Sequence, residues 1–194
     1  LLVLLVGGCA GTVPYDEFSS QAARVGATTD LAAFEIARDR IAEEMGVEPE
    51  DVLFASLRGS FDAVSARAAS VTAPSEWDTW TFSHGTLTSP YPVDSGTVQG
   101  RFTLDDVPAL AILPELVAQS RARADLGEIA MITAVDVDCP AISAPEGTPG
   151  NTMSSFDSRG GAVPGTCDPI ITITVDEERR ESVQVQFTSD GSIL

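Results

Sequence analysis

The sequence predicts an α+β fold made of two helix-plus-antiparallel-sheet units, each ordered helix-strand-strand-strand, with a disulfide-closed loop in the second. Three observations carry this. Two segments, near 30–45 and 113–124, have helical signals, and each is followed by runs of period-two alternation. Val52 and Ile129 open the first strand of each half, an offset of 77 residues. Phe82 to Leu87 and Phe187 to Ile193 share an aromatic-turn-glycine-apolar plan at an offset of about 105, and the excess of 28 is the length of the segment bounded by Cys139 and Cys167. The units are expected at 28–100 and 101–194.

Taken in order, Thr28-Thr29-Asp30 supplies helix N-cap chemistry. Phe34, Ala37, Ile41 and Met45 then fall on one helical face, Arg40 and Glu44 are spaced i,i+4 opposite them, and Gly46 is a stop. Asp51 to Leu57 reads as a strand, Arg58-Gly59-Ser60 as a turn, and Phe61 to Val71 as a second strand or a short helix. Trp77 to Ser83 is a third strand with Trp80 and Phe82 on one face. Ser83-His84-Gly85-Thr86 is a tight turn. The second helix opens at Leu113, with Pro114 at its first positions and Glu115 in its first turn, and runs to about Ala124 before Gly127. Ile129, Met131, Thr133, Val135 and Val137 alternate along one strand face. Ile170 to Val175 is a strand, Asp176 to Arg180 a polar turn, and Val183, Val185 and Phe187 line the last strand.

Composition narrows the function. The 194 residues are 43% hydrophobic and 21% charged, which describes folded material. Twenty-nine acidic residues against 11 basic ones, all arginine, give a formal charge of −18. That charge excludes nucleic acid as a partner and an electrostatic hold on anionic lipid.

The chain opens Leu-Leu-Val-Leu-Leu-Val6-Gly7-Gly8-Cys9, an apolar run ending in small residues, too short to span a bilayer. Val6 to Cys9 resembles a bacterial lipobox, with valine where leucine is commoner. The resemblance implies cleavage before Cys9, lipid on Cys9, a signal remnant at 1–8, a tether at 9–27, and a place in the cell envelope, outside the cytoplasm. It covers only these first residues and implies nothing about activity. The alternative is a buried N-terminal strand with a core cysteine.

With Cys9 lipidated, Cys139 and Cys167 remain, and an exported context permits their disulfide. The segment between them is rich in Pro, Gly, Ser and Thr and reads as an irregular loop. Closing it is worth about 3–4 kcal/mol in the chain-entropy model. A reactive pair competes as a reading, but the spacing is far from C-x-x-C and no histidine or lysine is near.

Residues that carry chemistry are few. His84 is the sole histidine and sits in a turn, no G-x-S-x-G is present, and the cysteines do not leave a zinc set. No catalytic residue, metal ligand or cofactor is therefore expected. Asp136 and Asp138 share one strand side, either as a solvent-facing edge or as calcium ligands with loop carbonyls. Asp176 to Arg180 is a solvated tip or a partner contact. Trp77, Trp80, Phe82 and Tyr91 concentrate aromatic surface in a chain that is only 6% aromatic. Trp77, Trp80 and Tyr91 are the candidate binding surface, with core packing as the alternative, and Trp77 is the better placed because it faces away from Trp80 and Phe82.

The helix at 30–45, Phe102 to Asp106, Leu113-Pro114-Glu115-Leu116 and the hairpin from Ile170 to Ile193 together resemble exported bacterial domains of the PepSY-like and beta-lactamase-inhibitor-protein-like kind. The resemblance spans about 28–194 through generic motifs. It implies a sheet face that meets a protein or peptide, and no catalytic position. The expected function is a membrane-anchored, non-enzymatic module that binds another envelope protein or a peptide. The alternative is a carrier for a lipid or other apolar molecule.

Overall fold

A computed structural model of the chain describes residues 30–73, 76–88, 90–93, 100–126, 130–139, 167–177 and 182–194. The lipobox, Cys9, the tether, Gly127, Ile129, the segment 140–166 and the tip 178–180 lie outside the described residues. The fold is α+β: the described residues form two α-helices and a single eight-stranded sheet whose paired strands are all antiparallel.

Helix α1, Leu31–Met45, forms where its caps and apolar spacing place it. Asp30 accepts a hydrogen bond from the Ala32 N–H at 3.0 Å, and Gly46 closes the helix in the left-handed region at φ 68°. Phe34, Ala37, Ile41 and Ala42 are buried. Strands β1 (Phe54–Ser60), β2 (Ala63–Ala69) and β3 (Trp77–Ser83) follow as a meander, with β4 (Thr86–Leu87) and β5 (Tyr91–Val93) both pairing with β3. His84 and Gly85 both have positive φ, 51° and 78°, as a two-residue hairpin turn requires. After short 3₁₀ turns, α2 (Leu113–Ala124) begins with Pro114, carries Glu115 in its first turn and Arg121 and Arg123 in its last, and ends at Asp125. Strands β6 (Met131–Asp138), β7 (Ile170–Asp176) and β8 (Val183–Thr188) complete the sheet.

The strand order is β4-β3-β2-β1-β6-β7-β8. The β1–β6 pairing therefore joins the strands after α1 to those after α2 in one ladder, from Ser56↔Asp138 to Ser60↔Ala134. Both helices contribute to one hydrophobic cluster with the same sheet face. One row of that face runs Trp80, Ala66, Leu57, Val137, Ile171, Phe187 across six strands. Phe34, Phe54, Phe102 and Phe187 are all 0% exposed and fill the space beneath the helices.

Three local expectations are corrected. Arg58-Gly59-Ser60 is strand, and the turn lies at Phe61-Asp62. Gly59 is paired on both sides, with Val64 and Val135, and two ladders outweigh its weak strand preference. The first strand starts at Phe54, because Pro49–Asp51 is a 3₁₀ turn. In β6 a register shift between Ile132 and Ala134 leaves Thr133 without a pairing partner. Ile132 is thereby buried, and Met131 and Thr133 are not, although they alternate with Val135 and Val137 in sequence.

Cys139 and Cys167 form the disulfide, with Cα atoms 5.8 Å apart. It links the end of β6 to the approach to β7. Gly100 lies against it so closely that a Cβ there would sit 2.6 Å from the Cys167 Cβ.

Candidate functional site

Because both helices pack on one side, the opposite sheet face carries no helix among the described residues. Cross-strand partners share a face, so the register alone reads out its surface. The central row is Thr81, Ser65, Arg58, Asp136, Thr172, Gln186, one residue from each of six strands. The next row is Thr79, Arg67, Ser56, Asp138, Ile170, Thr188, extended by Tyr91 beside Thr79. Short hydroxyl and amide side chains dominate, and the charges sit in the middle.

Arg58 bridges the β1–β6 seam. Its Nη1 donates to Asp136 Oδ1 at 3.0 Å. The arginine side chain is 57% exposed and the aspartate 16%, so one partner is anchored and the other meets solvent. Ser65 and Thr81 hydroxyls lie 3.4 Å apart, and Gln186 reaches Thr172 at 3.5 Å. Desolvation pushes the Asp136 carboxyl above its ordinary range against the pull of Arg58. Asp138, open at its edge but crowded on its inner side, is raised by desolvation and by repulsion from Asp136.

A raised carboxyl pKa means that the folded state holds the proton more tightly than the unfolded chain. The ionised form then opposes folding, and the opposition fades as pH falls through the raised value. Asp138→Asn is accordingly expected to raise Tm slightly at pH 7 and to leave it unchanged near or below the ordinary value of 3.8. Thermal melts of both proteins at several pH values check this. A lower Tm for the variant at pH 7 contradicts it.

The three candidate aromatic residues separate. Tyr91 is 73% exposed and stands on the helix-free face. Trp77 is on that face too, opposite to Trp80 and Phe82 as parity requires, yet it is 1% exposed. The expectation of an open Trp77 is corrected because Ala55, Ala69 and Leu53 pack around it in a second small cluster. The Arg101 guanidinium also lies 5.4 Å from its ring centre, and burial lowers the pKa of that arginine. Trp80 is on the helix side at 4% exposure, at the edge of the main core. It lines an open groove of about 400 Å³ together with residues from α1, the β2–β3 connection and the β5 region.

His84 pairs with Asp62 at 2.9 Å on an exposed hairpin end. Among the described residues no group of three or more His, Cys, Asp or Glu is placed to hold a metal ion, and no helix is long and apolar enough to cross a membrane. The central Arg58–Asp136 contact joins residues 78 apart in sequence. Alternation in β6 marks Asp136 as outward-facing, but nothing local announces its partner.

No protein-family model matches the chain, and comparisons with curated proteins and with solved structures return no match either.

Proposed function

We propose that this chain is a lipid-anchored, extracytoplasmic binding module without catalytic activity, which meets another envelope protein or a peptide on the helix-free face of its sheet. The observation that carries the reading is that face itself. Six strands at about 4.8 Å spacing give a platform roughly 24 Å across. It has a half-open ion pair at its centre and Tyr91 on its rim. Exposed arginine and tyrosine are residue types enriched at protein-contact surfaces, and they stand here among short polar side chains. The carrier reading has less support, because the space between helices and sheet is taken by Phe34, Phe54, Phe102 and Phe187.

The platform is proposed to arise from two units, α1-β1-β2-β3 and α2-β6-β7-β8, joined through β1 and β6. The matching element order and the central position of β1 and β6 support this. Lipid on Cys9 holds the module at the membrane, a reading that rests on the lipobox resemblance at Val6 to Cys9.

One experiment tests anchor and partner together. Cys9→Ser is expected to release the chain into the soluble fraction, and native mass spectrometry of that form, mixed with its own envelope extract, is expected to reveal one bound polypeptide. Persistent membrane attachment overturns the anchor. A small apolar mass in place of the polypeptide overturns the binding module in favour of the carrier.

A further inference from the structure

The two rows of the helix-free face are balanced in charge. They carry two arginines, Arg58 on β1 and Arg67 on β2, and two aspartates, Asp136 and Asp138, both on β6. Opposite signs therefore meet across the β1–β6 seam, in a chain whose formal charge is −18. Asp176, on the same side of β7, lies at the end of its strand and accepts from the Thr133 hydroxyl at 2.6 Å. Two copies of so acidic a chain repel each other, and they repel least where balanced surfaces meet.

Arg58 has capacity for a second carboxylate. A guanidinium carries five N–H donors, and the one described bond of Arg58 uses Nη1 on Asp136 alone. The side chain is 57% exposed, so the head meets solvent beside that carboxylate. The complement this surface needs is an acid and a base in reversed order, one strand spacing of about 4.8 Å apart.

The chain itself supplies that complement. A two-fold axis along the seam, parallel to the strands, lays β1 over β6 of a second copy, β2 over β7 and β3 over β8. In the central row it sets Arg58 over Asp136 of the second copy, Ser65 over Thr172 and Thr81 over Gln186. Each arginine then stands between two aspartates in a closed square. In the next row Asp138 lies over Ser56, and Arg67 over Ile170, so no charge in either row meets its own sign. A two-fold axis along the rows instead stacks Arg58 on Arg58 and Asp136 on Asp136. Six strands of six to eight residues give a platform of roughly 24 by 20 Å, and two such faces bury about 1,000 Å², the lower limit for a specific interface. The association is accordingly modest in strength and set in register by its charges.

We propose that the polypeptide which meets the helix-free face is a second copy of this chain, packed sheet to sheet about a two-fold axis along the β1–β6 seam. The inference rests on the reading of that face as the contact surface and names its partner.

The test uses the full-length Cys9→Ser chain, purified and alone. Sedimentation equilibrium is expected to show a monomer–dimer equilibrium with a Kd in the micromolar to submillimolar range. Arg58→Asp is expected to weaken it at least tenfold, and the exchange Arg58→Asp/Asp136→Arg, which restores both the pair within the chain and the pairs between copies, is expected to recover it. Thermal melts show that each variant is folded. Cysteine crosslinking reads the geometry without altering charge. A mixture of Ser65→Cys and Thr172→Cys chains is expected to join through a short bismaleimide, one chain of each kind, because these positions face each other between copies. Either variant alone is expected to stay unlinked, since two copies of position 65 lie three strand spacings apart, about 14 Å, before the gap between sheets is added. A chain that stays monomeric at millimolar concentration overturns the proposal. So does undiminished association of the Arg58→Asp chain, or crosslinking of position 65 to itself. A monomer that still captures a different polypeptide from envelope extract overturns the second copy alone and leaves the contact face standing.

Discussion

Breaking the Cys139–Cys167 bond is expected to cost about 3–4 kcal/mol of stability, from the loop of 28 residues that it closes. The bond sits where three segments meet. Cys139 N–H reaches the Ala55 carbonyl at 3.4 Å, and Cys167 N–H reaches the Arg101 carbonyl at 3.1 Å. Gly100 then packs on the sulfurs with no room for a side chain. Cys139→Ser/Cys167→Ser, or reductant, is therefore expected to lower Tm by several degrees or more. Gly100→Ala is expected to act in the same direction by another route: its methyl group collides with the Cys167 Cβ, and free thiol becomes detectable in the purified protein. Melts with and without reductant, together with thiol titration, read both effects. A Tm insensitive to reductant contradicts the structural role of the bond.

Phe54→Ala is expected to be as damaging, about 3–5 kcal/mol, because the site cannot collapse around the lost ring. Phe54 is 0% exposed, its ring centre is 6.0 Å from that of Phe102, and its backbone exchanges hydrogen bonds with Phe102 at 2.8 and 3.0 Å. It thus lies where the strands after α1 meet the segment leading to α2. A shared core predicts that the two halves unfold together, in the variant as in the parent chain. Both tryptophans belong to the first half, so near-ultraviolet circular dichroism at the red edge of the tryptophan band, beyond the disulfide and phenylalanine bands, reports on that half, and far-ultraviolet signal on the whole. The two melts are expected to coincide. Separate midpoints contradict a single cooperative core.

Much of the architecture is legible in the sequence where local chemistry decides. Asp30 and Gly46 bracket α1, Pro114 and Glu115 open α2, and the alternation through Trp77 to Ser83 marks β3 to the residue. The disulfide follows from cysteine count and context. What is lost is what depends on a distant neighbour. Gly59 reads as a breaker until β2 and β6 flank it. The irregularity at Thr133 shifts the buried positions of β6 by one residue, and no turn residue announces it. Trp77 is rightly placed on the outer face, but Arg101, 24 positions on, is not foreseen over its ring. The Arg58–Asp136 pair and the Trp80 groove need the β1–β6 seam, the end of α1 and the β5 pairing to be known first. The candidate site is therefore less legible than the fold: of Trp77, Trp80 and Tyr91, only Tyr91 stands open on the proposed contact face.

Site-specific photo-crosslinking tests the central proposal, that the partner docks on the helix-free face. A benzophenone amino acid is placed at Thr172, in the middle row of that face, and separately at Ile36, a residue of α1 that is 50% exposed on the other side. Irradiation of cells is predicted to give one discrete polypeptide adduct from position 172 and none from position 36. Adducts from position 36 alone, or from neither position, contradict the account.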